Sequence, residues 1–257
     1  PYCDLADLAA YAGNDFAAAV PLAEKAKALD PDNPNMAIGL VKLHWEMGDD
    51  AAFGLALRQA GQRWPDDLTV LVWLALRELQ RRDLDGASER ARRLLELDPH
   101  DQGGPVVLGI VDYRQQRYAA AAERFRQAYA ELFATPAPKI DDRNIFLATS
   151  VVPIVQALGD HDRANALLDG VDAALRKMPQ LGNSGYAPSD AAVLALRGRK
   201  REALEALRSD QQAGWRGMWL WYRDIDPAFD SIRGEPEFMS IFADIERDMA
   251  RQRAELA

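Results

Sequence analysis

The sequence predicts an all-α chain: a right-handed superhelix of antiparallel helix pairs, finished by a C-terminal capping helix. Three observations carry this. Pro31, Pro65 and Pro99 end similar helical stretches at equal intervals of 34 residues (31 to 65, 65 to 99). Short turns bearing glycine or charged residues divide the units into two helices each. No segment alternates apolar and polar residues long enough to make a strand. A fixed internal period of this size is the mark of stacked supersecondary units.

The elements follow in order. The first turn, Gly13-Asn14-Asp15-Phe16, carries one extra residue, and the stretch after it reads as the second helix of a pair. Later pairs divide at Gly48-Asp49-Asp50, Arg82-Asp83-Leu84, Gln116-Arg117-Tyr118, Gly159-Asp160-His161 and Gly198-Arg199-Lys200. Glycine at such a turn takes the left-handed dihedral that ends the first helix. Proline cannot continue a helix and biases its predecessor away from helical dihedrals, so Pro31, Pro65 and Pro99 separate pair from pair. Asp30 to Asn33, Asp66-Asp67 and Asp98 to Asp101 then offer oxygens to cap the next helix.

Ala19, Ala87, Ala121, Ala164 and Ala203 fall where two helices cross closely, and Phe53 stands at the same place in one unit. The uncharged run Asn144 to Gly159 reads as a buried helix despite Pro153. Two irregular stretches break the period, one around Ala134 to Lys139 and one from Pro179 to Pro188. The chain therefore divides into units over 1–133, a connector at 134–143, further units over 144–214, and a Trp-rich segment with the capping helix over 215–257, all in one continuous domain. Five pairs and one second helix are expected.

Composition excludes several function classes. A net charge of −9 repels phosphate backbones and anionic headgroups, so no direct nucleic-acid contact is expected. The longest uncharged run is too short to span a bilayer, so no membrane insertion is expected either. One cysteine, Cys3, permits no intramolecular disulfide. The chain starts at Pro1 with no visible signal peptide and is expected to begin inside a longer protein. Its compartment, cytoplasmic or periplasmic, then depends on whether a membrane span precedes residue 1.

Period, turn residues, crossing alanines and terminal prolines together resemble the tetratricopeptide repeat family over most of the chain. The stretch Ala195 to Leu204, with Gly214-Trp215-Arg216, Asp226-Pro227 and Ile232 to Phe238, is similar to the closing segment of repeat regions in bacterial signalling proteins. In those proteins the repeats follow a winged-helix domain, an adenylyl cyclase or a kinase. The resemblance implies a sensory or interaction role for this portion.

Stacked pairs leave a groove lined by the first helix of each pair. In the repeat register its positions are Asn35, Ile38, Lys42, Trp45 and Glu46; then Thr69, Val72, Leu76, Leu79 and Gln80; then Val106, Ile110, Tyr113 and Arg114. Only Lys42 and Arg114 are basic, which disfavours the carboxylate clamp of chaperone-binding relatives and favours aromatic anchoring through Trp45 and Tyr113. The competing account is that both rings pack between repeats. Trp215 and Trp219 are expected on one helical face, with Trp221 and Tyr222 toward others and some rings partly exposed. Together with Phe229, Phe238 and Phe242 they read as the seal at the end of the stack.

Catalytic constellations fail. Gly182-Asn183-Ser184-Gly185-Tyr186 lacks the last glycine of a nucleophile elbow and the strand before it. His44, His100 and His161 fall in separate units without partner spacing for a metal. No glycine-rich phosphate loop appears, so no cofactor is expected. The basic run Arg197, Arg199, Lys200 and Arg201 reads as a solvated turn, with contact to an acidic neighbouring domain as the alternative. The expectation is a non-enzymatic module that binds a protein or peptide in its concave groove. A small-molecule sensor, and self-assembly as a homodimer, are the rival readings.

Overall fold

A computed structural model describes residues 2–135, 137–177 and 188–256. Nearly all of the irregular stretch from Pro179 to Pro188, including the Gly182 to Tyr186 loop, lies outside them. Among the described residues there are fourteen α-helices and no strand. They are α1 (Tyr2–Asp7, running into a π-helical turn Leu8–Ala12), α2 (Phe16–Leu29), α3 (Pro34–Glu46), α4 (Asp50–Arg63), α5 (Leu68–Gln80), α6 (Leu84–Leu97) and α7 (Gly103–Arg114). Then come α8 (Tyr118–Ala128), α9 (Ile145–Ala157), α10 (His161–Leu175), α11 (Ser189–Leu196), α12 (Lys200–Gln212), α13 (Trp219–Asp224) and α14 (Pro236–Ala254).

Each odd-numbered helix from α1 to α11 packs on the helix that follows it, and each even-numbered one packs on the start of the next pair. First helices also touch across pairs, α3 with α5, α5 with α7 and α9 with α11, so they share a face. Residues 2–12 complete the earliest pair, giving six pairs where five and a half were expected. The long first turn and the π-helical stretch hide that helix from a search for a strict period.

The local chemistry repeats with the pairs. Asp15, Asp49, Asp67, Asp83 and Asp160 each accept the backbone N–H three residues on, at 2.8 to 3.0 Å. Asp101 accepts the Gly104 N–H in the same manner at 2.7 Å, and Asn33 accepts the N–H two residues on, at Asn35, at 3.1 Å. Such caps satisfy donors that the first helical turn otherwise leaves bare. The residue ending each first helix is left-handed at Asn14, Gly48, Arg82, Gln116, Gly159 and Gly198, so half of these turns manage without glycine. His161 opens α10 instead of ending the turn before it. Ala19, Ala87, Ala121, Ala164 and Ala203 are all buried, as is Phe53.

After α12 the chain turns back on itself. Met218 adopts a left-handed φ of 56°, so α13 begins at Trp219 and Trp215 lies outside it. The two rings expected on one helical face are therefore separated by a backbone reversal. A 3₁₀ turn, Pro227–Phe229, follows α13 and packs on α9 and α11. The α14 stripe of Phe238, Ile241, Phe242, Ile245 and Met249 is buried. That helix docks on α12 as a cap should, yet it also reaches back to α2, at the opposite end of the sequence.

Candidate binding cleft beside an occupied helix face

Three equivalent positions, Glu46, Gln80 and Arg114, recur every 34 residues as the last residues of α3, α5 and α7. Each holds the same run of chain, at points six residues apart: Met218, Asp224 and Asp230. The Met218 N–H donates to both Glu46 carboxylate oxygens at 2.9 Å, and the Trp219 indole N–H donates to the Glu46 carbonyl at 2.6 Å. Gln80 accepts from the Trp45 indole and donates to Asp224, both at 3.3 Å. Arg114 pairs with Asp230 at 2.7 Å and donates to the Ile225 carbonyl at 2.6 Å, while the Tyr113 hydroxyl reaches Asp230 at 3.1 Å.

Two further anchors extend the run. Ser150 on α9 donates to Asp226 at 2.9 Å, and the Trp221 indole donates to the other oxygen of that carboxylate at 3.3 Å. On α14, Gln252 accepts the Phe16 N–H at 2.7 Å and Arg253 donates to the Met47 carbonyl. Burial pushes the Glu46 carboxyl up to about 7, against the Met218 N–H, Lys42 and the Tyr11 hydroxyl, which favour its charge. Burial likewise raises Asp226, opposed by its hydrogen bonds to Ala228, Ser150 and Trp221.

The groove expected to lie open is thus largely filled from within. Trp219, Trp221, Phe229 and Ile232 are all buried, and such side chains contribute about 1.5–3 kcal/mol each on leaving water. This segment is a wall of the core.

The expected site residues fall into two sets. Trp45, Glu46, Gln80, Ile110, Tyr113 and Arg114 meet at this internal interface or beside it, and Trp45 also packs edge-on against Trp73 at 5.5 Å. Asn35 and Thr69 are exposed near the starts of α3 and α5. Ile38 and Leu79 are core residues, and Val72, Leu76 and Val106 are half-buried. Lys42 pairs with Asp7 at 3.6 Å and lies over the Tyr11 ring. The Trp-rich segment lies along the ends of the first helices and also packs on α14, Trp215 against Phe242 at 6.0 Å and Phe229 against Phe238, and Trp215, Trp219 and Trp221 are all buried.

What stays open is a cleft between the turns at the ends of α3 and α5 and the C-terminal segment. Its larger part encloses about 570 Å³ and is walled by Trp45, Phe53 and Trp219, with Arg81, Arg82, Arg223 and Asp224 at the rim. Burial lowers the His44 imidazole, so it enters this space uncharged at neutral pH. A second hollow of about 410 Å³ adjoins it, sharing Arg82, Asp224 and Arg233. Sequence reasoning missed Arg82, Leu84, Ile225 and Arg233 as site residues, because their only signal was a charged turn and a C-terminal segment placed at the end of the stack.

Chemically the cleft offers guanidinium groups, carboxylates and aromatic edges. Among the described residues no group of three or more His, Cys, Asp or Glu side chains could hold a metal ion, and no helix is long and apolar enough to cross a membrane. Neither a scan against protein-family models nor a search of curated proteins gives a match to this chain.

Proposed function

We propose that the chain is a protein-interaction module on the tetratricopeptide plan, a right-handed superhelix of six helix pairs that takes a protein or peptide partner at the cleft beside its C-terminal segment. The observation supporting this is the repeated use of Glu46, Gln80 and Arg114 to hold one continuous stretch of polypeptide. A face that reads backbone N–H, carbonyl and carboxylate groups of its own chain has the chemistry to read those of another. On this reading the module acts by binding. The resemblance of its closing segment supports a place in a larger bacterial signalling or transcription-regulating protein.

Partner capture with the full-length protein tests the reading, comparing wild type with Arg82→Glu and Leu84→Lys. Both residues border the cleft; Arg82 is exposed and Leu84 half-buried, and circular dichroism checks that each variant is folded. Loss of a partner from both supports the cleft as the site. Equal recovery from folded variants overturns it.

One observation favours a small-molecule ligand as the second reading: about 570 Å³ lies within the usual range of ligand pockets. Trp45 and Trp219 wall that space, so a ligand there changes tryptophan emission. A signal unmoved by any metabolite fraction counts against it.

A further inference from the structure

The smaller hollow has an apolar floor and a single unengaged charge at its lip. Leu79, Leu84, Ile110 and Ile225 form the floor. Its five charged lining residues are Arg82, Arg114, Arg233, Asp224 and Asp230. Four of them are committed to one another or to neighbours. Asp230 takes Tyr113, Arg114 and Arg233. Arg233 also donates to the Tyr222 and Asp226 carbonyls, and Asp224 takes Gln80 and Arg223. Among the described residues Arg82 alone of the five makes no side-chain hydrogen bond or ion pair. It leaves this hollow with one surplus positive charge on a chain whose net charge is −9.

The position of Arg82 is fixed even though its head is free. Its backbone is left-handed at φ 61°, and its N–H donates to the Leu79 carbonyl at 3.0 Å. Arg82 is thereby held at the boundary of both parts of the cleft. A guanidinium presents a planar fork that matches a carboxylate. The hydrocarbon floor lies next to it, in a space of about 410 Å³ that holds a small ligand.

We infer that this hollow binds an aliphatic carboxylate, with Arg82 receiving the carboxylate and Leu79, Leu84, Ile110 and Ile225 receiving the hydrocarbon. The inference rests on the reading of the cleft as the binding site and names the chemistry it recognises. Two sources carry that chemistry: the C-terminal leucine, isoleucine or valine of a peptide, and a free short-chain acid. An exposed ion pair contributes little alone, so the hydrocarbon sets the affinity. Binding strengthens by about threefold to fourfold for each methylene buried until the hollow is full.

The test is a titration of the whole ¹⁵N-labelled chain followed by amide shifts, with butyrate, hexanoate, hexanamide, N-acetyl-leucine, N-acetyl-leucinamide and the peptide acetyl-Ala-Ala-Leu as probes. The inference predicts shifts at Leu79 to Leu84, Ile110 and Ile225, with hexanoate above butyrate and each acid above its amide. Arg82→Gln weakens hexanoate by about fivefold, the scale of one exposed ion pair, and Arg82→Lys restores part of it. Acetyl-Ala-Ala-Leu binding more tightly than hexanoate assigns the site to a peptide terminus, and the reverse order assigns it to a free acid. Equal binding of hexanoate and hexanamide, an unchanged affinity in Arg82→Gln, or no shift at these residues overturns it. If that occurs while Arg82→Glu still abolishes partner capture, the carboxylate inference falls and the interaction module stands.

Discussion

Glu46 and Met218, 172 residues apart, are joined by an N–H that both oxygens of a buried carboxylate accept at 2.9 Å. Met218 pays for its left-handed backbone at this point, and the Trp219 ring that follows closes over the end of α3. The contact sets where the returning chain meets the helix pairs.

The Glu46 carboxyl gives the contact a pH signature. Its folded value of about 7 lies above the usual 4.5, so its ionisation opposes folding. That cost is complete above the folded value, on the order of 3 kcal/mol, and is relieved as pH falls from about 7 toward 4.5. Glu46→Gln keeps an acceptor for Met218 and removes the charge. Denaturant unfolding at pH 5, 6, 7 and 8 is expected to show wild type losing stability relative to Glu46→Gln as pH rises. Other raised acids such as Asp226 and Asp210 move both proteins alike, so parallel profiles would contradict the assignment.

Gly48 and Gly159 occupy the same place in two pairs, with φ of 66° and 77°. A Cβ on Gly48 would lie 3.2 Å from the Trp219 ring, while one on Gly159 meets nothing within 4 Å. Gly159→Ala is expected to cost about 1 kcal/mol, the backbone share alone, and Gly48→Ala about 2–3 kcal/mol. Thermal unfolding of the two variants checks this, and equal losses would place Trp219 away from the α3–α4 turn.

The period was legible because its causes are local. Aspartate caps, turn residues and crossing alanines each act within a few positions, so a single sequence displays them. Glu46, Gln80 and Arg114 were legible as equivalent positions on one face for the same reason. Their occupant was not, because Met218, Asp224 and Asp230 reach them through contacts across more than a hundred residues. The reversal at Met218 had a local signal in Gly214 and Gly217, but the four-residue spacing of Trp215 and Trp219 was read as helix across it. Arg82 was hidden differently, since a charged turn residue looks the same whether it faces water or borders a cleft.

The crossing alanines give a stability series. Ala87→Leu and Ala203→Leu are expected to cost about 1–3 kcal/mol by forcing helices apart at fully buried sites. Arg93→Ala, which removes ion pairs at the surface to Asp66 and Glu96, is expected to change stability little. Chemical denaturation of the three variants decides it, and equal losses would mean that these alanines do not lie at helix crossings.

Amide hydrogen exchange under native conditions tests the central claim, that residues 218–233 are a fixed wall of the core, most directly. The account predicts that the amides of Tyr222, Ile225 and Asp226 exchange only as slowly as those inside α5 and α7, through global unfolding. Rapid exchange of these amides while α5 and α7 stay protected would contradict it, and would make the segment a detachable strap over an open groove.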